Sequence, residues 1–207
     1  MTAAATTRER FLGEGRWAVL LLISAGIWLH AADITVVATI MPDAVAELGG
    51  AAWIAWAWVL ELVGAILAAA GGGLLAARYG TGRVGSLAAI AFTLGCGVTA
   101  LAGDMGGFLL GRLLQGLGGG AMMAVCNIGI ALAFPERFWT RAYAVISLVW
   151  GVSSLAGPLV GGLFAEAGFW RGAFWAFGAQ ALVVAVAAPL LLPRRAGRLA
   201  GGGLPTR

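Results

Sequence analysis

The sequence predicts an all-α integral membrane protein of six transmembrane helices with both termini cytoplasmic. Three observations carry this. There are six apolar stretches, each near or above the ~20 residues that span a bilayer. Arginine is placed asymmetrically in the segments between them. The composition is 61% hydrophobic and 11% charged, against about 25% charged in an average soluble domain.

The first span covers residues 17–41. Its apolar run is longer than the roughly 7–15 residues of a signal-peptide core and leads directly into further spans, so it reads as a retained helix. The others cover 52–76, 84–103, 107–133, 142–165 and 170–192, which leaves a cytoplasmic segment over 1–16 and a cytoplasmic basic tail over 193–207. Arg8, Arg10 and Arg16 precede the first span, Arg78 and Arg83 lie between the second and third, and Arg137 and Arg141 between the fourth and fifth. Arg194, Arg195, Arg198 and Arg207 follow the sixth, so eleven of the thirteen basic residues share one side, the cytoplasmic one. Arg171 is alone on the opposite side, with Asp43, Glu47, Asp104 and Glu166. Trp53, Trp56 and Trp170 flank the outer ends and Trp17 and Trp139 the inner ones, as an aromatic belt does.

Glycine supplies 34 of the 207 residues, more than twice its usual share of about 7%. In lipid, small residues let helix backbones approach closely, and Gly107/Gly111, Gly116/Gly120 and Gly157/Gly161 each repeat on one helix face. Every basic residue is Arg, spread over short loops and the tail, a pattern that gives no nucleic-acid signal. Cys96 and Cys126 fall at different depths of apolar segments without metal-ligand spacing, and are expected to be free, buried thiols. The chain reads as no enzyme, with no cofactor and no metal.

Five polar side chains from spans one, two and four share one slab in the outer half of the membrane. Counted from the outer helix ends at 1.5 Å per residue, His30 lies about 16 Å deep, Asp33 and Gln115 about 12 Å, Glu61 about 13 Å and Arg112 about 7 Å. Asp33 with His30, and Arg112 with Gln115, are three apart and so face one way. An intramembrane charge costs roughly 2.5–3.5 kcal/mol and marks a functional site by default. Asp33 and Arg112 read either as a proton site, protonated when the two separate, or as a static ion pair locking spans one and four. Glu61, alone in a run of Leu, Val and Ala, reads as a cation or second proton site or as a residue of a subunit contact. His30 reads as a proton relay or a packing residue, and Asn127 as glue between helices.

Four stretches, in order, resemble the amino-terminal half of the major facilitator superfamily, in particular its drug:proton antiporters. Ala32-Asp33-Ile34-Thr35-Val36-Val37, running to Pro42, resembles the first-helix motif, and Gly73-Leu74-Leu75-Ala76-Ala77-Arg78-Tyr79-Gly80 the loop between helices two and three. Arg112-Leu113-Leu114-Gln115-Gly116-Leu117-Gly118-Gly119 resembles the fourth-helix motif, and Gly157-Pro158-Leu159-Val160-Gly161-Gly162 the fifth-helix antiporter motif. Trp170-Arg171-Gly172-Ala173-Phe174-Trp175 is similar to the start of helix six in the fourteen-helix branch. Three departures stand out: Ala77 in place of the family's loop Asp, Thr81-Gly82 in place of its basic pair, and Ala38 in place of Asn.

The resemblance implies one half of a major facilitator fold, a 3+3 inverted repeat, in a bacterial cytoplasmic (inner) membrane. It makes Asp33 and Arg112 a proton-coupling pair; Glu61, which has no counterpart in the family pattern, and His30 are added to the proton-coupling set from their place in the polar layer. It makes Gly73, Arg78, Gly80 and Arg83, with Gly157, Pro158, Gly161 and Gly162, gate and motif positions. Family members carry two such halves around a shared cavity, so the expected partner is a second, parallel copy, with spans two and five in contact, one and four lining the cavity, and three and six facing lipid. The expected activity is proton-coupled efflux of small lipophilic or cationic drugs by alternating access. Trp28, Asp33, Trp58, Glu61 and Gln115 are the expected substrate contacts. The alternatives are a heterodimeric half-transporter, a non-transporting regulator or remnant of a larger exporter, and proton-coupled uptake of a nutrient, against which the fifth-helix antiporter motif argues.

Overall fold

A computed structural model describes residues 11–13 and 15–192; the expectations for 1–10 and for the tail over 193–207 lie outside the described residues. It contains six helices, each long and apolar enough to cross a membrane. They are α1 (Arg16–Leu48), α2 (Ile54–Tyr79), α3 (Thr81–Ala100), α4 (Met105–Ala133), α5 (Trp139–Glu166) and α6 (Arg171–Leu191). Single 3-10 turns, Ala51–Trp53 and Glu136–Phe138, lead into α2 and α5.

Two boundaries depart from the sequence reading. Helix α1 continues past residue 41 because Pro42 is accommodated inside it, and it stops at Gly49 and Gly50, both at positive φ. The expected loop between spans two and three is almost absent. Gly80, at φ 90, reverses the chain in one residue, so Gly73 and Arg78 stand on α2 and Arg83 on α3. A side chain with a Cβ adopts that φ only with strain.

Helix α4 is the hub, packing on α2, α3 and α1. Its glycines take these three neighbours on separate faces. A methyl group on Gly116 would overlap the Glu61 carbonyl of α2, and one on Gly120 that of Ala65. Gly111 and Gly118 face Thr99 and Phe92 of α3, and Gly119 faces the His30 ring of α1. The α2–α4 contact advances one turn at a time: Ala57 beside Arg112, Glu61 beside Gly116, Ala65 beside Gly120. Both indices rise together, so these helices run parallel.

Helix α5 packs on α1 in the same manner. Gly157 lies against Ala32 and Thr35, Gly161 against Val36 and Thr39, and the Thr35 hydroxyl donates to the Ser153 carbonyl at 3.3 Å. The exchange of α2 onto α4 and α5 onto α1 is what two related three-helix units produce. Helix α6 is tied to α3 by Ser86 Oγ donating to the Ala185 carbonyl (2.7 Å) and Thr93 Oγ1 to that of Gly178 (3.3 Å). Tyr143 donates to Asn127 Oδ1 at 3.2 Å, joining α5 to α4 as that asparagine's type suggests. Cys96 and Cys126 are free and buried.

The two ends of the bundle differ chemically. At one, Arg16, Arg137 and Arg141 surround the Phe138 ring with guanidinium carbons 4.9–6.0 Å from its centroid. At the other, Arg171 bridges Glu47 of α1 (2.5 Å) and the Ala102 carbonyl after α3 (2.6 Å), while Trp170 Nε1 donates to Glu47 (2.8 Å). The one arginine that breaks the charge asymmetry is thus occupied in closing the outer end of the bundle.

Candidate functional site

The site lies where α1 crosses α4. Asp33 and Arg112 come from opposite helices, and both side chains are fully buried, at 0% exposure. Arg112 Nη1 donates to Asp33 Oδ2 at 2.5 Å and to Gln115 Oε1 at 2.8 Å. Gln115 Nε2 donates to Asp33 Oδ1 at 3.1 Å and to Cys96 Sγ at 3.2 Å. Both carboxylate oxygens are therefore held, and the amide that holds one of them is itself fixed by α3, with Thr99 Oγ1 3.3 Å from Gln115 Oε1. The local reason is helical geometry: Arg112 and Gln115 are three apart, so one face of α4 grips the carboxylate twice.

Removing two charges from water is repaid only when geometry is good and the remaining polar atoms are satisfied. Here that condition is met on the carboxylate side and not on the other. Arg112 Nε has only a long contact of 3.5 Å to the Ala57 carbonyl, and Nη2 makes no hydrogen bond.

The remaining pair of the expected polar layer joins across α1 and α2. His30 Nδ1 is 3.4 Å from Glu61 Oε1, with both residues buried at 7% and 3% exposure, yet neither atom makes a hydrogen bond. Gly119 gives the imidazole its space, and Trp150 of α5 meets the ring edge-on at a centroid distance of 6.3 Å. All five polar residues expected to share a layer thus lie on the facing sides of α1, α2 and α4.

The other expected site residues are placed elsewhere. Trp28 donates to Gln180 Oε1 of α6 at 3.3 Å, and Trp58 is half-buried on α2 against the core. Among the described residues no hydrogen bond or ring contact joins either to Asp33. Arg78 is exposed and stacks on Tyr79 at 5.3 Å, and Arg83 is exposed beside a cleft lined by Tyr79, Gly80, Gly82 and Pro189. Gly157 and Gly161 are buried against α1 with Gly162 near Thr39, while Pro158 points outward and Gly73 has open space beside it. Sequence reasoning missed the α3 residues Cys96 and Thr99 as supports of Gln115. Their only signal is a spacing of three on one helix face.

The pattern of the Major Facilitator Superfamily matches residues 23–202. The chain belongs to the major facilitator superfamily. It is therefore a multi-pass membrane protein, and membership groups it with transporters rather than enzymes. A Mycobacterium tuberculosis protein named "probable multidrug-efflux transporter" is 34% identical over 183 residues, covering 88% of this chain and 37% of that protein. Multidrug resistance protein 3 of Bacillus subtilis is 31% identical over 157 residues, 76% of this chain and 31% of that protein. This superfamily chain thus spans a little over a third, or less, of the curated relatives it matches. Its fold is similar to the crystal structure of a D-xylose–proton symporter, with a TM-score of 0.78 at 18% identity, over 90% of this chain and 50% of that one.

Proposed function

We propose that this chain forms one six-helix body of a proton-coupled multidrug antiporter in the bacterial cytoplasmic membrane, working by alternating access with a second, parallel copy of itself. The observation that carries the reading is the Asp33–Arg112–Gln115 network at the α1–α4 crossing. A carboxylate clamped from α4 is a proton site coupled to helix position. A proton on Asp33 removes its attraction to Arg112 and frees α1 to shift against α4; loss of the proton restores the clamp. Each charge carried through the field is worth about 2.3 kcal/mol per 100 mV, so one proton per cycle supports useful accumulation. The names of the relatives, multidrug-efflux transporter and multidrug resistance protein, support drugs as the substrate class, and we take these to be small lipophilic or cationic ones.

The pairing of copies follows from exposure. Helices α5 and α2 are the least buried of the six. Helix α2 presents Leu62, Val63 and Ile66, and α5 presents Val152, Leu155 and Leu159. Set α2 against the partner's α5, these stripes pack. The Asp33–Arg112–Gln115 network, fully buried within a single copy, is enclosed by that copy's own helices and is not open to the cavity expected between α1 and α4 of the two copies. The glycines of the fifth-helix motif then act inside each copy, seating α5 on α1, rather than between copies.

The test is ethidium efflux from proteoliposomes under an imposed pH gradient. Wild type should show gradient-driven efflux and Asp33→Asn should not. Gradient-driven efflux that survives Asp33→Asn removes this residue from the coupling, and no efflux by wild type with a panel of cationic dyes favours a non-transporting protein. Mass measurement of the active particle should give two copies; copurification of a different six-helix chain favours a heterodimer.

A further inference from the structure

The buried polar set does not balance in charge. Asp33, Glu61 and Arg112 place two carboxylates against one guanidinium, with a neutral imidazole beside them. Arg112 is committed through Nη1 to Asp33 and Gln115, which leaves the Glu61 carboxylate without a counter-ion of its own. An unpaired ion in an apolar interior is among the most costly arrangements a protein can hold. The same region holds two orphaned atoms close together, Glu61 Oε1 and His30 Nδ1, 3.4 Å apart and both without a hydrogen bond. When neither atom carries a proton, two lone pairs face each other. A single proton placed between them removes the excess charge and satisfies both atoms at once.

We infer that His30 and Glu61 form a second proton-binding site, in which one proton is shared between Glu61 Oε1 and His30 Nδ1. The proton comes from water and forms an O–H or N–H bond within the pair. The pair's charge changes from −1 to zero, and no other bond is made or broken. The site is built from three helices: His30 on α1, Glu61 on α2, and Gly119 on α4, whose missing side chain admits the imidazole. Trp150 of α5 closes one edge.

The charged and titratable groups facing the pair are Asp33 from α1 and Arg112 from α4. Cys96 of α3 stands behind Gln115, and α6 has only Arg171, at its outer end. Because Arg112 is held by Asp33, the two sites are linked. A proton on Asp33 loosens the guanidinium, whose unpaired Nη2 then becomes available to Glu61. A proton on Asp33 therefore favours the ionised form of Glu61, and binding at one site disfavours binding at the other. As a proton site the pair stands without the transport reading; as a carrier of a second proton in a transport cycle it rests on that reading.

The experiment is pH-difference infrared spectroscopy of the full chain in lipid, following the carbonyl band of protonated carboxyl groups. Wild type should show two titrating components, and Glu61→Gln should remove one while Glu61→Asp retains it. Asp33→Asn should keep the Glu61 component and move its midpoint to lower pH, because Arg112 is then free to meet the carboxylate. His30→Gln, with His30→Asn as a second variant, should move its midpoint by about one pH unit or more. A Glu61→Gln spectrum that superimposes on wild type over the whole pH range in which the protein stays folded overturns the site. A Glu61 midpoint unchanged in both His30 variants overturns the sharing. Either result would leave the transport reading standing if Asp33→Asn still abolished gradient-driven ethidium efflux. Loss of that Asp33 dependence with an intact Glu61 band would do the reverse.

Discussion

Two carboxylates lie in the same layer of this bundle, and their surroundings differ sharply. Asp33 has both oxygens held, one by Arg112 and one by Gln115, and Gln115 is held in turn by α3. Glu61 has an oxygen with no hydrogen bond, facing an imidazole nitrogen that also has none. The first is a clamp whose strength depends on helix position. The second is an acceptor waiting on a proton. In a membrane interior the number of hydrogen bonds around a carboxylate, more than its depth, separates a group that locks helices from one that simply titrates.

Variants at the two sites are expected to behave differently. The largest effect is expected from Arg112→Leu, which leaves Asp33 buried without its counter-charge; it should cost about 3–5 kcal/mol of stability, read as unfolding in detergent. Gln115→Leu strips one oxygen of Asp33 of its donor and should cost about 1–3 kcal/mol by the same measurement. Gly116→Ala tests the frame that both sites share. Its methyl overlaps the Glu61 carbonyl, so α2 must move from α4, at about 1–3 kcal/mol. The smallest effect belongs to Glu61→Gln, within about 1 kcal/mol of wild type or stabilising, because it removes a poorly satisfied charge. A loss at Glu61→Gln as large as at Arg112→Leu would erase the distinction between the sites.

Much of this is legible in the sequence. Apolar length gives six helical spans, because in lipid only helices and closed barrels satisfy the backbone and runs of ~20 apolar residues are too long for barrel strands. Arginine placement gives their direction. Spacings of three on α1 and α4 placed His30 with Asp33 and Arg112 with Gln115, and the structure keeps both pairs on facing sides. What could not be read is which neighbour each face meets. The glycines of Arg112-Leu113-Leu114-Gln115-Gly116-Leu117-Gly118-Gly119 serve three different helices, a fact of crossing angle rather than of sequence period. The pairing of His30 with Glu61 was hidden for the same reason, since it depends on the register of α2 against α4. Gly80 shows the opposite failure. The span limits predict a loop over 77–83, where one glycine at positive φ suffices.

With Asp33 as the carrier of the coupled proton, drug release and proton entry are tied one to the other, and proton movement can be read itself. Proteoliposomes loaded with ethidium and a lumenal pH dye, with no imposed gradient, should acidify inside as ethidium leaves through the wild-type protein. In Asp33→Asn, ethidium that leaves should do so without acidification. Equal acidification per ethidium released in the two proteins would contradict the account.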